Sequence, residues 1–376
     1  MKIVLIHAYS SSNSGDGLLV AEALKLLQTK FAAAEVLVLA LDPDSFQTTA
    51  SVRYQHPLTG ETSTPSTRKL LLASLSGLAR GSRLPTPTRD AIRSADLVVG
   101  VGGGYMRGAN LIEAVKMVLV HAPQAEAATL NPSTVYLPQS VGPFRFQSAR
   151  FVLSRLSRVP IYYVRDARSL ASLSTAPDVR RVPDNALLAI GDGELPVRPA
   201  SATPHVGLVA RSLASTRQRR ARYITRVRDV REKTNAELLL QARARGNDDG
   251  SFYEATFGET GSRTLLEGTS GARPASVVIS VRLHGAIQSI RNGVPAIHLS
   301  YERKGWGAFE DLGLGEYVHN AFDFDSGLVS EQAMSLSETP DAYWCRVTNA
   351  VPHLRQAQAR ISDSLADLAA SVGIPR

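Results

Sequence analysis

A guanidinium and an imidazole, Arg282 and His284, stand two positions apart directly after the apolar run Val277-Val278-Ile279-Ser280-Val281. The run is too short and too β-branched for a helix, and predicts a buried strand. A helical run over 286–291 follows. Cations at the carboxyl end of a parallel strand occupy the place where open α/β sheets bind ligands. The positive N-terminal end of the next helix favours an anion there. Gly293-Val294-Pro295 then turns the chain into a second predicted strand, 296–299, which runs out into Tyr301-Glu302-Arg303-Lys304-Gly305. Arg211, after the apolar run 205–210, repeats the pattern. A lone Arg or His at a strand end is commonly a surface residue or spacer. Two consecutive strands tipped with cations, with glycines where a ligand or helix must come close, favour an anion site.

The elements that must position these groups are strands and helices in alternation. Strands are expected at 2–7, 35–41, 96–101, 134–137, 161–164 and 180–182, with helices at 18–31, 68–78, 86–94, 110–121, 148–157 and 167–173. A second series has strands at 205–210, 236–240, 277–281 and 296–299. The pattern predicts α/β architecture with two doubly wound domains: an N-terminal domain over 1–190, a Gly- and Pro-containing linker over 191–204, and a C-terminal domain over 205–340. A helical pattern over 342–372 makes 341–376 a closing helix expected to pack back on the N-terminal domain. Residues 43–81 read as a surface excursion, and 246–273 has no assignable periodicity.

Three loops of the first domain sit where a ligand would meet strand ends. Asn13, Gly15 and Asp16 lie in the loop 8–17, although Asp16 in isolation reads equally as a helix cap. Gly102-Gly103-Gly104 lets backbone amides approach a ligand or simply permits a sharp turn. Gln139 follows the strand 134–137. The Gly-x-Gly-x-x-Gly spacing of a dinucleotide site is absent.

Composition narrows the classes. The 376 residues are 44% hydrophobic and 20% charged, ordinary for a globular chain of two domains. No apolar run approaches the roughly 20 residues that span a bilayer, and residues 1–7 read as a first strand rather than a leader. Cys345 is the one cysteine, which excludes an intrachain disulfide framework and gives an expected cytoplasmic location. The eight histidines are scattered without metal-ligand spacing, so no metal site is expected. A net charge of +8 points to anionic partners. The segment 216–233 carries seven arginines from Arg217 to Arg231 along a thin apolar stripe. It reads either as a solvated helix face or as a peripheral contact with an anionic membrane at its inner face or with a phosphorylated acceptor. No recognised module accompanies it, and nucleic acid is not an expected partner.

Taken in order, Asn13-x-Gly15-Asp16, Gly102-Gly103-Gly104, Gln139-Ser140-Val141-Gly142-Pro143-Phe144, Arg165-Asp166-x-x-Ser169, Asp184, Arg282-Leu283-His284-Gly285-Ala286, Gly293-x-Pro295, Tyr301 and Lys304 make the chain resemble the polysaccharide pyruvyl transferase family. The resemblance implies a fold similar to two-domain, GT-B-like glycosyltransferases, with two facing α/β domains and a cleft. It implies transfer of pyruvate from phosphoenolpyruvate to a saccharide or lipid-linked saccharide acceptor as a cyclic ketal, with no other cofactor. The family's Arg-Leu-His segment, associated with phosphoenolpyruvate, carries over to Arg282, Leu283 and His284. With the strand-end reading, this makes Arg211, Arg282, Leu283, Lys304, Asn13, Gly103, Gly104, Gln139 and Tyr301 expected substrate-binding residues, and His284 and Asp16 expected catalytic ones. Gly17 departs from the family, many members of which have an acidic residue there. Two other readings remain at this point: a nucleotide-sugar-dependent glycosyltransferase, and a non-catalytic subunit of a glycan-assembly complex.

Overall fold

The sequence of the first strand, Lys2–Ala8, buries every residue after Lys2, as a continuous apolar run does when both faces of a parallel sheet are covered. A computed structural model describes residues 1–376 except 80–83, 145–147, 174–177, 194, 198–202, 245–246, 262, 372 and 374–376. The chain divides into two compact units. Met1–Ser11, Asp16–Asn185 and Gln356–Arg376 form the first, and Ser12–Gly15 with Ala186–Arg355 form the second. Thus Ser12–Gly15, in the first predicted loop, counts with the second unit, and the helix Asp341–Ser371 is divided after Arg355. Of the expected linker 191–204, residues 194 and 198–202 lie outside the described residues.

The first unit is built on one sheet. Its strands are β1 (Lys2–Ala8), β2 (Glu35–Ala40), β3 (Val52–Gln55), β4 (Leu97–Gly100), β5 (Gly103–Gly108), β6 (Thr134–Phe144), β7 (Ile161–Val164) and β8 (Val179–Arg181). Among the described residues the order is β3-β2-β1-β4-β6-β7-β8, with β5 laid on β6, and every pairing is parallel. The expected surface excursion therefore contributes an edge strand: Val52 and Tyr54 of β3 point into the core. Likewise the triple glycine leads straight into β5. Gly103, at φ 140°, is the residue that makes that bend possible.

The second unit has β9 (Val206–Val209), β10 (Glu237–Leu240), a short hairpin of β11 (Arg243–Ala244) and β12 (Asn247–Asp248), then β13 (Arg263–Thr264), β14 (Val277–Ser280), β15 (Ala296–Ser300) and β16 (Val318–Asn320). Its main sheet runs β13-β10-β9-β14-β15-β16, again wholly parallel. The segment without readable periodicity holds β12, helix Asp249–Phe257, β13 and helix Leu265–Ser270. These elements are too short to display a period, so local pattern could not reveal them.

Strand order fixes where ligands can bind. Each sheet is wound in two directions from an internal pair, β1 with β4 in the first and β9 with β14 in the second. Crevices open at the carboxyl ends of such pairs, because the connections leave toward opposite faces of the sheet.

Burial also sets how the fold responds to acid. Burial pushes His298 down to about 4 and His121 to about 3, and holds His7 well below its ordinary 6.5. These side chains stay neutral in the folded protein and take up protons near pH 6.5 once unfolded, so the unfolded state binds more protons below that pH. Stability should therefore fall as pH drops from about 6.5 toward 4. Urea unfolding midpoints at neutral pH and near pH 5 test this; equal midpoints would contradict it, and His121→Gln should flatten the dependence.

Candidate active site

In the second unit the crevice between β9 and β14 is bordered by Arg211, just past β9, and Arg282, just past β14. Arg282 sits at the N-cap position of helix Leu283–Arg291 with extended backbone. Its side chain is only 7% exposed and is paired with the fully buried Asp249. The Arg282 Nε donates to Asp249 Oδ1 at 3.0 Å, and the Nη2 group lies against the same oxygen. The other carboxylate oxygen accepts the backbone N–H groups of Gln241 and Ala242, each at 2.9 Å. A buried guanidinium needs such a partner, since an uncompensated charge in a low-dielectric interior is costly. Arg282 is expected as an anion ligand, and its Nε and Nη2 are turned to Asp249. Nothing in the sequence singled out Asp249, because only the fold brings 249 to 282.

Arg282 still borders an open cavity of ≈ 380 Å³ that is also lined by Arg211, Arg220, Asp248, Ser251 and Phe252. The Asp248 carboxylate is engaged as the cap of helix Asp249–Phe257, accepting from the N–H groups of Gly250 and Ser251 and from the Ser251 hydroxyl. Arg211 is held from two sides. Its carbonyl accepts the buried Tyr223 hydroxyl at 2.9 Å, and its Nη1 reaches the Tyr301 hydroxyl at 3.4 Å. Arg211 and Tyr301, two expected site residues, thus come together. Arg220, read only as part of an arginine-rich helix, joins them.

His284 is half-buried on the second residue of helix Leu283–Arg291. The segment Ser12–Gly15, whose last two residues already open helix Ser14–Lys30 rather than the expected loop, lies beside β10's extension: Asn13 bridges Ala242, Ser14 N–H donates to the Gln241 carbonyl at 3.4 Å, and Arg243 N–H donates to the Ser12 carbonyl at 3.3 Å. This brings Gly15 against the imidazole, where a Cβ would stand 2.8 Å from His284 Nδ1. Glycine at 15 is therefore a packing requirement of the histidine. Asn13 contributes by accepting Gly15 N–H at its Oδ1, 3.3 Å. Gly285 follows the same logic, since a Cβ there would meet Gln241 Oε1 at 2.4 Å and Ser280 Oγ at 2.7 Å. Leu283 is buried core. Lys304 pairs with Glu302 at 2.8 Å. Buried His298 bonds the Ser280 carbonyl through Nδ1 at 2.9 Å and feels the charges of Lys304 and His284.

In the first unit the corresponding crevice, at the ends of β1 and β4, holds an aromatic and imidazole cluster that the sequence reading did not identify. His7, with φ 72°, contacts His121 Nδ1 to Nδ1 at 3.2 Å and the Tyr136 hydroxyl at 2.9 Å. The Tyr9 hydroxyl meets His121 Nε2 at 2.8 Å, and Lys116 Nζ lies 3.9 Å over the Tyr9 ring. Burial lowers the Lys116 ammonium to about 8, with the Asp16 carboxylate opposing that shift. Asp16 is half-buried and also acts electrostatically on Tyr9, whose hydroxyl is held protonated mainly by burial. Gln139 is fully buried, its amide donating to the Val101 carbonyl at 3.1 Å and its carbonyl accepting the Tyr162 hydroxyl at 2.8 Å. It fastens strand ends. Gly103 is buried and packs near Leu19, and Gly104 is half-buried beside it. Among the described residues no group of three or more His, Cys, Asp or Glu side chains could hold a metal ion.

The arginine-rich segment forms the helix Arg217–Thr234, with Tyr223, Val227 and Val230 buried. Three of its arginines are engaged within the unit: Arg226 with Asp323 at 2.9 Å, Arg231 with Glu259 at 2.8 Å, and Arg228 with the Thr256 carbonyl at 2.8 Å.

Residues 13–303 match the family model for polysaccharide pyruvyl transferase. No curated protein matches the chain in sequence. Three solved structures are similar in fold. A putative UDP-N-acetylglucosamine 2-epimerase from Listeria monocytogenes is 11% identical with TM-score 0.51, covering 96% of this chain and 94% of its own. A ugt transferase from Siraitia grosvenorii in complex with UDP is 11% identical with TM-score 0.51, covering 97% and 99%. An E. coli protein described as trehalose-6-phosphate bound with UDP-2-fluoro glucose is 13% identical with TM-score 0.51, covering 97% and 99%. At such identity the likeness concerns the fold, which is the GT-B type of two α/β units, each on a parallel sheet.

The ion pair at 282 and 249 carries a direct expectation. Asp249→Ala removes the carboxylate from a buried guanidinium and frees two backbone donors, and should destabilise the protein by about 3–5 kcal/mol. Urea or thermal unfolding measures the loss. A change below about 1 kcal/mol would mean that the pair contributes no more than an exposed one.

Proposed function

Because the chain belongs to the polysaccharide pyruvyl transferase family, we propose that it moves pyruvate from phosphoenolpyruvate onto two hydroxyls of a saccharide, forming a ketal and releasing phosphate. The observation that carries this reading is the arginine-lined cavity of Arg211, Arg220 and Arg282 at the β9/β14 crevice. Phosphoenolpyruvate presents a carboxylate and a phosphate, and guanidinium groups match both. Arg211 and Arg220 are assigned to the anionic oxygens. Arg282, its charge balanced by Asp249, forms part of the cavity wall and orients the start of the helix that carries His284. Lys304, paired with Glu302, stands near the same strand ends.

The reaction balances without a further cofactor. A proton adds to the methylene carbon, which becomes the methyl group. The two acceptor oxygens bond to the central carbon, and the bond from that carbon to the phosphate oxygen breaks. Of the two hydroxyl protons displaced, one offsets the proton added to carbon and the other leaves with phosphate. His284 is assigned the carbon protonation, since an imidazole can give and regain a proton near neutral pH. Asp16, beside Lys116 and Tyr9, is assigned the hydroxyl proton. Cations around the departing phosphate offset its developing charge. A cytoplasmic place of action fits this donor, which is a metabolite of that compartment.

The proteins of similar fold named above with UDP or a UDP-sugar support one alternative, a nucleotide-sugar donor. Thermal stabilisation separates the two: phosphoenolpyruvate should raise the unfolding temperature and UDP should not. Acceptor-dependent phosphate release from phosphoenolpyruvate, assayed on a saccharide panel with product mass recorded, tests the activity itself. His284→Ala should keep the phosphoenolpyruvate-induced thermal shift while abolishing phosphate release, and near-normal turnover would remove His284 from its role. Gly15→Ala forces a Cβ onto the imidazole and should lower turnover by about ten- to a hundred-fold with little change in stability. An unchanged rate would show that the imidazole needs no such placement.

A further inference from the structure

Six of the large apolar side chains that the first unit exposes lie on two adjoining helices. On helix Thr67–Ala79, Leu71, Leu72 and Leu75 are 61%, 66% and 54% exposed. On helix Leu111–Lys116, Leu111, Ile112 and Val115 are 68%, 82% and 47% exposed. The two are joined in space, because helix Thr67–Ala79 packs against the π-turn Met117–His121 into which helix Leu111–Lys116 continues. Residues 71, 72 and 75 fall on one side of their helix, bordered by the exposed Arg68, Lys69 and Ser76. Scattered exposed leucines are ordinary, whereas two adjoining helices each turning an apolar face outward mark a surface that something covers.

Charge selects the occupant. Helix Thr67–Ala79 contains no acidic residue, and Arg68 and Lys69 at its start are exposed, Lys69 pairing with Glu61 at 2.8 Å. The acid on the neighbouring helix, Glu113, is turned to its own loop, where it accepts from Arg107 Nε at 3.1 Å and from Ala109 N–H at 2.9 Å. The chain as a whole carries +8, so a second copy would bring like charge, whereas an anionic leaflet brings the opposite. At 13 residues, the helix is about 20 Å long, short of the roughly 30 Å of a bilayer core. It can lie in the interface but cannot span it.

We propose that helices Thr67–Ala79 and Leu111–Lys116 form a membrane-surface contact, with their six exposed apolar side chains entering the headgroup and acyl boundary of an anionic leaflet. This relocates the membrane contact expected of the arginine-rich helix. It also has a consequence for the substrate, which rests on the proposed activity: Val115 is followed by Lys116, whose ammonium lies over Tyr9. A sugar carried on a lipid anchor in that leaflet would therefore be presented beside the first unit's polar cluster.

Vesicle binding tests the contact independently of any catalysis. The full chain should co-sediment with vesicles of phosphatidylethanolamine and phosphatidylglycerol, and less with phosphatidylcholine alone. Leu72→Asp/Ile112→Asp should weaken partitioning by about ten-fold or more, and the milder Leu71→Ser/Ile112→Ser should weaken it in the same direction. Both variants should keep the wild-type urea midpoint, because the altered side chains are exposed. Arg217→Glu/Arg222→Glu, which lowers the net charge by reversing two cations outside the patch, should weaken partitioning less than either apolar variant, and a larger loss than theirs would overturn the proposal. Absence of vesicle binding, or binding unchanged in the apolar variants, overturns the proposal. So does a dimer in sedimentation equilibrium that those variants convert to monomer without any vesicle binding. Loss of vesicle binding in the apolar variants with phosphate release on a water-soluble acceptor retained would uphold both the contact and the activity; vesicle binding without any phosphate release would uphold the contact and remove the activity.

Discussion

The second unit depends on one buried carboxylate. Asp249 takes the Arg282 guanidinium on one oxygen and the N–H groups of Gln241 and Ala242 on the other. It thereby ties the end of β10, the start of helix Asp249–Phe257 and the end of β14 to a single point. The same helix sends the Tyr253 hydroxyl to the Leu239 carbonyl at 2.7 Å, while Ala210 N–H donates to that hydroxyl at 3.0 Å. Three strand ends at the crevice are thus fixed by one short helix. In a low-dielectric interior these polar bonds have no competing water, so they define one arrangement and penalise others. A cavity bordered by arginines can keep its shape only if the strand ends beneath it cannot slide.

Glycines complete that arrangement by allowing backbone where side chains would collide. Gly15, Gly285 and Gly305 each stand against a polar side chain: His284, Gln241 and His298. The first unit uses a different device. Its crevice is filled with His7, Tyr9, Tyr105, His121 and Tyr136, in contact through rings and hydrogen bonds. Burial keeps the imidazoles neutral, so one Nδ1 can carry the hydrogen and the other accept it. A charged pair of rings at that separation would repel. The cluster is a rigid neutral floor, and Lys116 and Asp16 are the charged groups set beside it.

Positive charge in this chain serves two distinct purposes. In the helix Arg217–Thr234 three of the seven arginines of the run, Arg226, Arg228 and Arg231, close on acids and a carbonyl of their own unit and brace it. Arg220 and Arg211 instead border a cavity. The distinction rests on which groups fold nearby, and composition says nothing about it.

The parallel α/β architecture was legible because β-branched apolar runs alternated with 3.6-period segments, and those patterns are imposed by local geometry. The cation-tipped strands, and the ordered loop motifs of the family, were legible for the same reason: each is contiguous in the chain. Strand order was decided only by tertiary structure. It brought Arg211, Arg282 and Tyr301 of distant strands to one crevice, placed Asn13 and Gly15 with His284, and left Gln139 and Leu283 as buried fasteners. Asp249 escaped the sequence because its partner lies 33 positions away and its own segment is too short to show a period. An isolated acid in the sequence carries no sign of what it will neutralise. Sequence determines which groups a chain can offer; burial and pairing, which arise only when distant segments meet, decide which of them remain available to a ligand.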